Sequence, residues 1–150
     1  MLSKAVVLAA LVPLVSPQPL PQVTLHAPRT ELRVQVADTY AKREAGLMNY
    51  HFLVRHTGMI FVFKSDARVD FWMKNTLIPL DMVFIGADGR VRSVAANVPS
   101  STYETPDADV ARRSGRAKYV IEIAAGEAAA DGLAPGAFVS GVRPLSAKDP

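Results

Sequence analysis

The segment DFWMKNTLIPLD, Asp70 to Asp81, sets Lys74, Asn75 and Thr76 inside an otherwise apolar run, directly after Trp72 and Met73. An ammonium, a carboxamide and a hydroxyl are costly to bury without partners, so this placement demands a ligand or a compensating network. If the segment is extended, alternation puts Trp72, Lys74 and Thr76 on one face and Phe71, Met73 and Asn75 on the other. On a face lining a cleft, the indole can stack on a sugar or other flat group. Lys74 can then meet an anionic or carbonyl oxygen, and Thr76 can add a hydrogen bond. In a dry cleft Lys74 would also serve as base or amine nucleophile. The competing reading is structural: Lys74 pairs with a carboxylate such as Glu44, Asp70, Asp81 or Glu122, and Asn75 satisfies open backbone groups before Pro79. Arg43, Glu44 and Asp81 join Trp72, Lys74, Asn75 and Thr76 as the candidate ligand-binding residues.

Other chemistry is sparse. The chain has no cysteine, which removes thiol catalysis, disulfides and Cys-ligated metals. Its three histidines are His26, His51 and His56. The latter two flank a loop with no carboxylate beside them, a poor metal spacing, and are read as exposed loop residues. No Gly-rich phosphate loop, nucleophile elbow or zinc-protease helix motif is present, and neither a metal nor a cofactor is expected. Net charge is +3. The basic cluster Arg112, Arg113, Arg116 and Lys118 has no interleaved aromatic residue for base stacking, so it reads as a solvated face, and nucleic-acid binding is not expected.

The elements that must position these residues are short and β-rich. At 150 residues the chain allows one domain. Lys4 followed by the apolar run Ala5 to Val15 resembles an export signal, too short to span a bilayer as an ordinary helix. Residues 1–22 are therefore assigned to a signal peptide or N-terminal anchor plus a Pro-rich spacer, with cleavage expected before Val23. Residues 23–150 form a single β-rich domain in the periplasm or outside the cell. Membrane contact is expected only through the N-terminal segment, if it stays uncleaved.

ELRVQVADT alternates like a half-buried strand and runs into a short helix, capped by Asp38 or Thr39 and ended by Gly46. GMIFVF, apolar on both faces, predicts a central strand, and VDFWMKNT a further one. Asp88-Gly89 predicts a hairpin turn. KYVIEIA predicts a late strand with Tyr119, Ile121 and Ile123 inward, AGEAAADGL a second short helix, and PGAFVSGV the last strand. From Asn97 to Arg116 no period emerges, which predicts a long loop, either a flap or disordered. The predicted fold class is all-β, sandwich-like or barrel-like and mostly antiparallel, with two short helices.

VADTYAKREAGLM, GMIFVF, FWMKNTLIPLDMVFIGADGRV and KYVIEIAAG, in that order, resemble the family known as domain of unknown function 192. The resemblance covers Leu32 to Val139 and implies an all-β fold, with no established activity. Family motif residues include Arg43, Gly58, Trp72, Lys74, Asn75, Thr76, Asp81 and Glu122. The chain departs where NYHFLVRHT replaces a more acidic loop and where APGAFV lacks an acidic residue. The functional expectation is an exported module that binds a small polar or anionic ligand in a cleft around FWMKNT. The alternatives are an uncharacterised enzyme using Lys74 with a carboxylate, and a structural or assembly protein of the cell envelope.

Overall fold

The computed structural model describes residues 19–150, and the expected signal segment lies outside the described residues. Six strands form one sheet: β1 (Gln22–His26), β2 (Glu31–Ala37), β3 (Thr57–Trp72), β4 (Leu80–Ile85), β5 (Val91–Val98) and β6 (Arg112–Ala124). Two short helices, α1 (Tyr40–Ala45) and α2 (Glu127–Ala130), accompany them. The strand order is β1-β2-β3-β6-β4-β5. Only β2 and β3 pair in parallel. A parallel pair cannot be joined by a tight turn. The crossover from Ala37 to Thr57 supplies the connection and contains α1.

The apolar residues of GMIFVF divide by alternation. Ile60 and Val62 face one core with Leu25, Val34, Val83 and Ile121, whereas Met59 and Phe61 face a second with Phe71, Met82 and Val120. The sheet is thus covered on both sides, as continuous apolarity predicts. The stretch from Gly136 to Ser140 links the sheet's two edges. His26 bridges Ser140 at the end of β1, and Arg90 bridges Phe138 at the start of β5. This closure makes the domain barrel-like, with Val139 and Val142 fully buried in the first core.

The all-β class, the two short helices and the Asp88-Gly89 hairpin are as predicted, with Gly89 at φ +83. Four local expectations change. The two strands expected around GMIFVF and VDFWMKNT are one strand of 16 residues, with a register shift between Val62 and Ala67. PGAFVSGV forms two isolated bridges rather than a strand. The loop expected over 97–116 is shorter, because residues 112–117 pair with 67–72; this partner is distant in sequence and leaves no local period. His56 is half-buried rather than exposed, with Nδ1 3.4 Å from the Asp131 carboxylate.

Candidate functional site

FWMKNT does not continue as a strand. β3 ends at Trp72, and the Thr76 N–H donates to the Met73 carbonyl at 3.1 Å, closing a turn with Asn75 at φ +50. Asparagine tolerates this left-handed geometry better than most residues. The alternation expected for Trp72, Lys74 and Thr76 is therefore lost. Thr76 turns inward and is buried, donating from Oγ1 to the Lys74 carbonyl at 3.2 Å. Lys74 points the other way and forms an ion pair with Asp107. That pairing holds the Asp107 carboxyl below its ordinary range.

The turn anchors the loop between β5 and β6. Ser101 Oγ donates to the Met73 carbonyl at 2.5 Å, and the Ser101 N–H donates to the Thr76 carbonyl at 2.9 Å. Tyr103 donates to Asn49 Oδ1 at 2.7 Å, and Val110 is buried. The segment expected to be a flap or disordered is thus tied down at several points. Asn75 Oδ1 is buried with no hydrogen-bond partner among the described residues.

Asp81 also serves the fold. Its carboxylate accepts from the N–H of Asn97 at 2.8 Å and from those of Gly126 and Ala128 at 2.9 Å each. One side chain thereby fixes β4, β5 and the start of α2 to one another.

The cleft lies on the other side of Trp72. Thr39 caps α1 by accepting from the Lys42 N–H, and Gly46 ends the helix at φ +45. The helix carries Arg43 and Glu44 to the rim of a cavity of about 250 Å³, whose wall includes Phe61, Phe63, Phe71, Trp72 and Thr76. Asp70 stands at its edge, and Glu122 also lines it. Of the residues expected from sequence, the cleft gathers Arg43, Glu44, Trp72 and Thr76, but not Lys74, Asn75 or Asp81.

Glu122 entered from the sequence as a partner for Lys74 and as a family motif residue, not as a ligand-binding candidate. It sits in β6 between Met59 of β3 and Met82 of β4, on the face of the second core. Its residue surface is 5% exposed, and burial alone pushes its carboxyl up to about 8. No cation or hydrogen-bond donor among the described residues offsets that burial. The backbones of β3 and β6 come unusually close beside it. A Cβ on Gly58 would lie 2.0 Å from the Glu122 carbonyl oxygen, so only glycine fits there. The available signal was one ionisable residue in the otherwise apolar run YVIEIA.

Arg43 is already engaged. Its Nη2 meets Asp149 at 2.6 Å, its Nη1 donates to the Val62 carbonyl at 3.0 Å, and its guanidinium lies over Phe63. The contact holds the Asp149 carboxyl below its ordinary range. Trp72 has Arg112 at 5.2 Å and Lys74 at 5.9 Å from its ring, so tertiary structure does bring an aromatic residue to the basic cluster. Among the described residues no group of three metal-ligating side chains converges, and no helix is long and apolar enough to cross a membrane.

Two solved structures resemble this one. A proposed transcription regulator from Sinorhizobium meliloti 1021 shares 28% identity at a TM-score of 0.76, over 85% of this chain and 99% of that one. A protein of unknown function from Novosphingobium aromaticivorans shares 35% identity at a TM-score of 0.68, over 81% and 86% respectively. No curated protein matches. The family DUF192, described as an uncharacterised ACR, matches residues 22–141. By that match, over most of its length, the chain belongs to this family of unknown function.

Proposed function

We propose that the protein is an exported, non-catalytic module that binds a small polar ligand in the cleft between α1 and the β3–β6 face. The observation that carries the reading is Glu122, a buried carboxyl with no hydrogen-bond partner among the described residues, at the wall of a solvent-reachable cavity. Burying such a group costs several kcal/mol unless something meets it, and a bound ligand is the natural counterpart. Aromatic walls with a few convergent polar groups are the usual make-up of a small-molecule site. Lys74, the residue on which an enzymatic reading rested, faces Asp107 rather than this cavity. Export is supported by Lys4 and the apolar run to Val15.

The test is a fragment screen followed by protein-observed NMR. Trp72 is the only tryptophan, so its indole N–H is an unambiguous reporter. Hits should shift that signal together with Thr76 and Phe71. Hits scattered over the surface, or none at all, would remove the cleft from consideration. The export component predicts that the purified native protein begins after Ser16 and no later than Val23; a native N-terminus at Met1 in the cytosolic fraction refutes it.

The name of the Sinorhizobium relative raises nucleic-acid binding as a second reading, which Arg112 and Arg113 beside Trp72 favour. Asp107 and Asp70 lie among those cations, however, and both Arg112 and Lys74 already lie against the indole. A labelled oligonucleotide titrated at physiological salt should leave Trp72 unchanged.

A further inference from the structure

Acidic groups outnumber basic ones in the cleft lining. Among the described residues it holds Glu44, the buried Glu122 and Asp70, which pairs with Arg68 at 3.3 Å, against one guanidinium, that of Arg43. Asp149 already meets that guanidinium, so the cleft offers little positive charge to an incoming anion. Beside Glu122 the wall is aromatic, with Phe61 and Phe71 edge to face at 4.9 Å. The face of such a ring attracts a cation, while its edge carries the opposite sign. We infer that the cleft takes an organic cation, an ammonium or guanidinium group on a small apolar body, with its charge on the Glu122 carboxylate and its body against Phe61 and Phe71. This rests on the cleft being a ligand site, and it names the class of ligand.

An anion would have to pass Glu44, and the cation lining the cleft among the described residues, Arg43, is already paired with Asp149. A neutral polar ligand could hydrogen-bond the protonated Glu122 carboxyl but would gain nothing from Glu44 at the rim. A hard metal ion needs six or more oxygens, whereas here Phe61, Phe63 and Phe71 occupy the surrounding wall. A cation takes the place of the Glu122 proton, donates to the resulting carboxylate and gains further wherever it lies over a ring face. An apolar cavity of roughly 150 Å³ accepts benzene. The larger volume here, about 250 Å³, accommodates one ring with a short amine-bearing chain.

Binding should be linked to proton release. Glu122 is protonated in the free protein at neutral pH, because burial raises its carboxyl to about 8. The titratable or charged groups facing it across the cleft are Tyr40, Arg43 and Glu44 from α1 and Asp70 from β3. An ammonium ligand displaces the Glu122 proton, so its apparent affinity should rise about tenfold per pH unit well below that value and level off above it.

Three probes of similar shape and different charge test the inference: 2-phenylethylammonium, 2-phenylethanol and phenylacetate, each titrated while following Trp72. The expected result at about pH 8 is a preference for the ammonium over both others of at least about tenfold. That preference should shrink towards pH 6, and Glu122→Gln should abolish it while leaving the alcohol's affinity in place. Equal or tighter binding of the alcohol or phenylacetate would overturn the cation while leaving the cleft as a ligand site. If none of the three moves Trp72, both ideas fail. Should Glu122→Gln not fold, calorimetry of the unmodified protein in two buffers decides: release of about one proton per ammonium bound at pH 7 supports the inference, and no release overturns it.

Discussion

Glu122 gives the native state a stability that falls as pH rises. In the unfolded chain its carboxyl titrates near the ordinary 4.5, and in the folded protein near 8. Below about pH 4.5 both states hold the proton and the group contributes no penalty. Between the two values the unfolded state ionises while the native state keeps its proton, so stability declines by about 1.4 kcal/mol per pH unit. Above about 8 the difference stays constant. At pH 7 the accumulated loss is on the order of 3 kcal/mol. Glu122→Gln keeps the shape without the titration and should be the more stable protein at pH 7. Urea unfolding at several pH values should show that gap closing towards pH 5; a gap that is flat with pH would contradict it.

At the scale of elements, the turn after β3 and the loop before β6 hold each other. The Lys74–Asp107 ion pair is open to solvent on the Asp107 side, where screening and side-chain entropy leave such pairs weak. Ser101 is buried, and its hydroxyl meets a backbone carbonyl that would otherwise lack that donor. Lys74→Met should therefore leave the melting temperature close to that of the parent, whereas Ser101→Ala should cost about 1–2 kcal/mol. Thermal and urea melts of the two variants check the order, and a larger loss for Lys74→Met would make the ion pair the principal anchor. The same segments show how far local pattern reaches. Helix α1 was legible from Asp38-Thr39, of which Thr39 is the cap, and from Gly46, because cap geometry is local. The break after Trp72 was not, because Pro79 was the only breaker in view and the turn at Lys74–Asn75 is fixed by ties to Ser101 and Ala111.

For the whole molecule, closure depends on a stretch with almost no regular structure of its own. Val139 is fully buried, and the bridges at Phe138 and Ser140 reach opposite edges of the sheet. Removing two methyl groups there should cost about 2 kcal/mol, from lost burial plus the space left behind. Val139→Ala should also speed amide exchange at His26 and Val91, one at each edge. If exchange changes at neither edge, the stretch is a cover and not a closure.

Sequence alone determined the β-rich class, the first helix with its caps, the hairpin at Asp88-Gly89, the burial of GMIFVF on both faces and the family. Each of these rests on neighbours in the chain, where hydrophobic period, turn chemistry and motif order can be read directly. Tertiary structure decided the site. Four of the seven expected residues, Arg43, Glu44, Trp72 and Thr76, meet at one cleft because the parallel β2–β3 pairing forces a crossover that lays α1 beside β3. Lys74 and Asp81 carried equally good chemistry in the sequence, but Asp107, Asn97 and Gly126 claim them from distant positions. Glu122 gained its importance the opposite way, since no partner among the described residues comes to it. A buried carboxyl is defined by what surrounds it, and those surroundings exist only once the chain has folded.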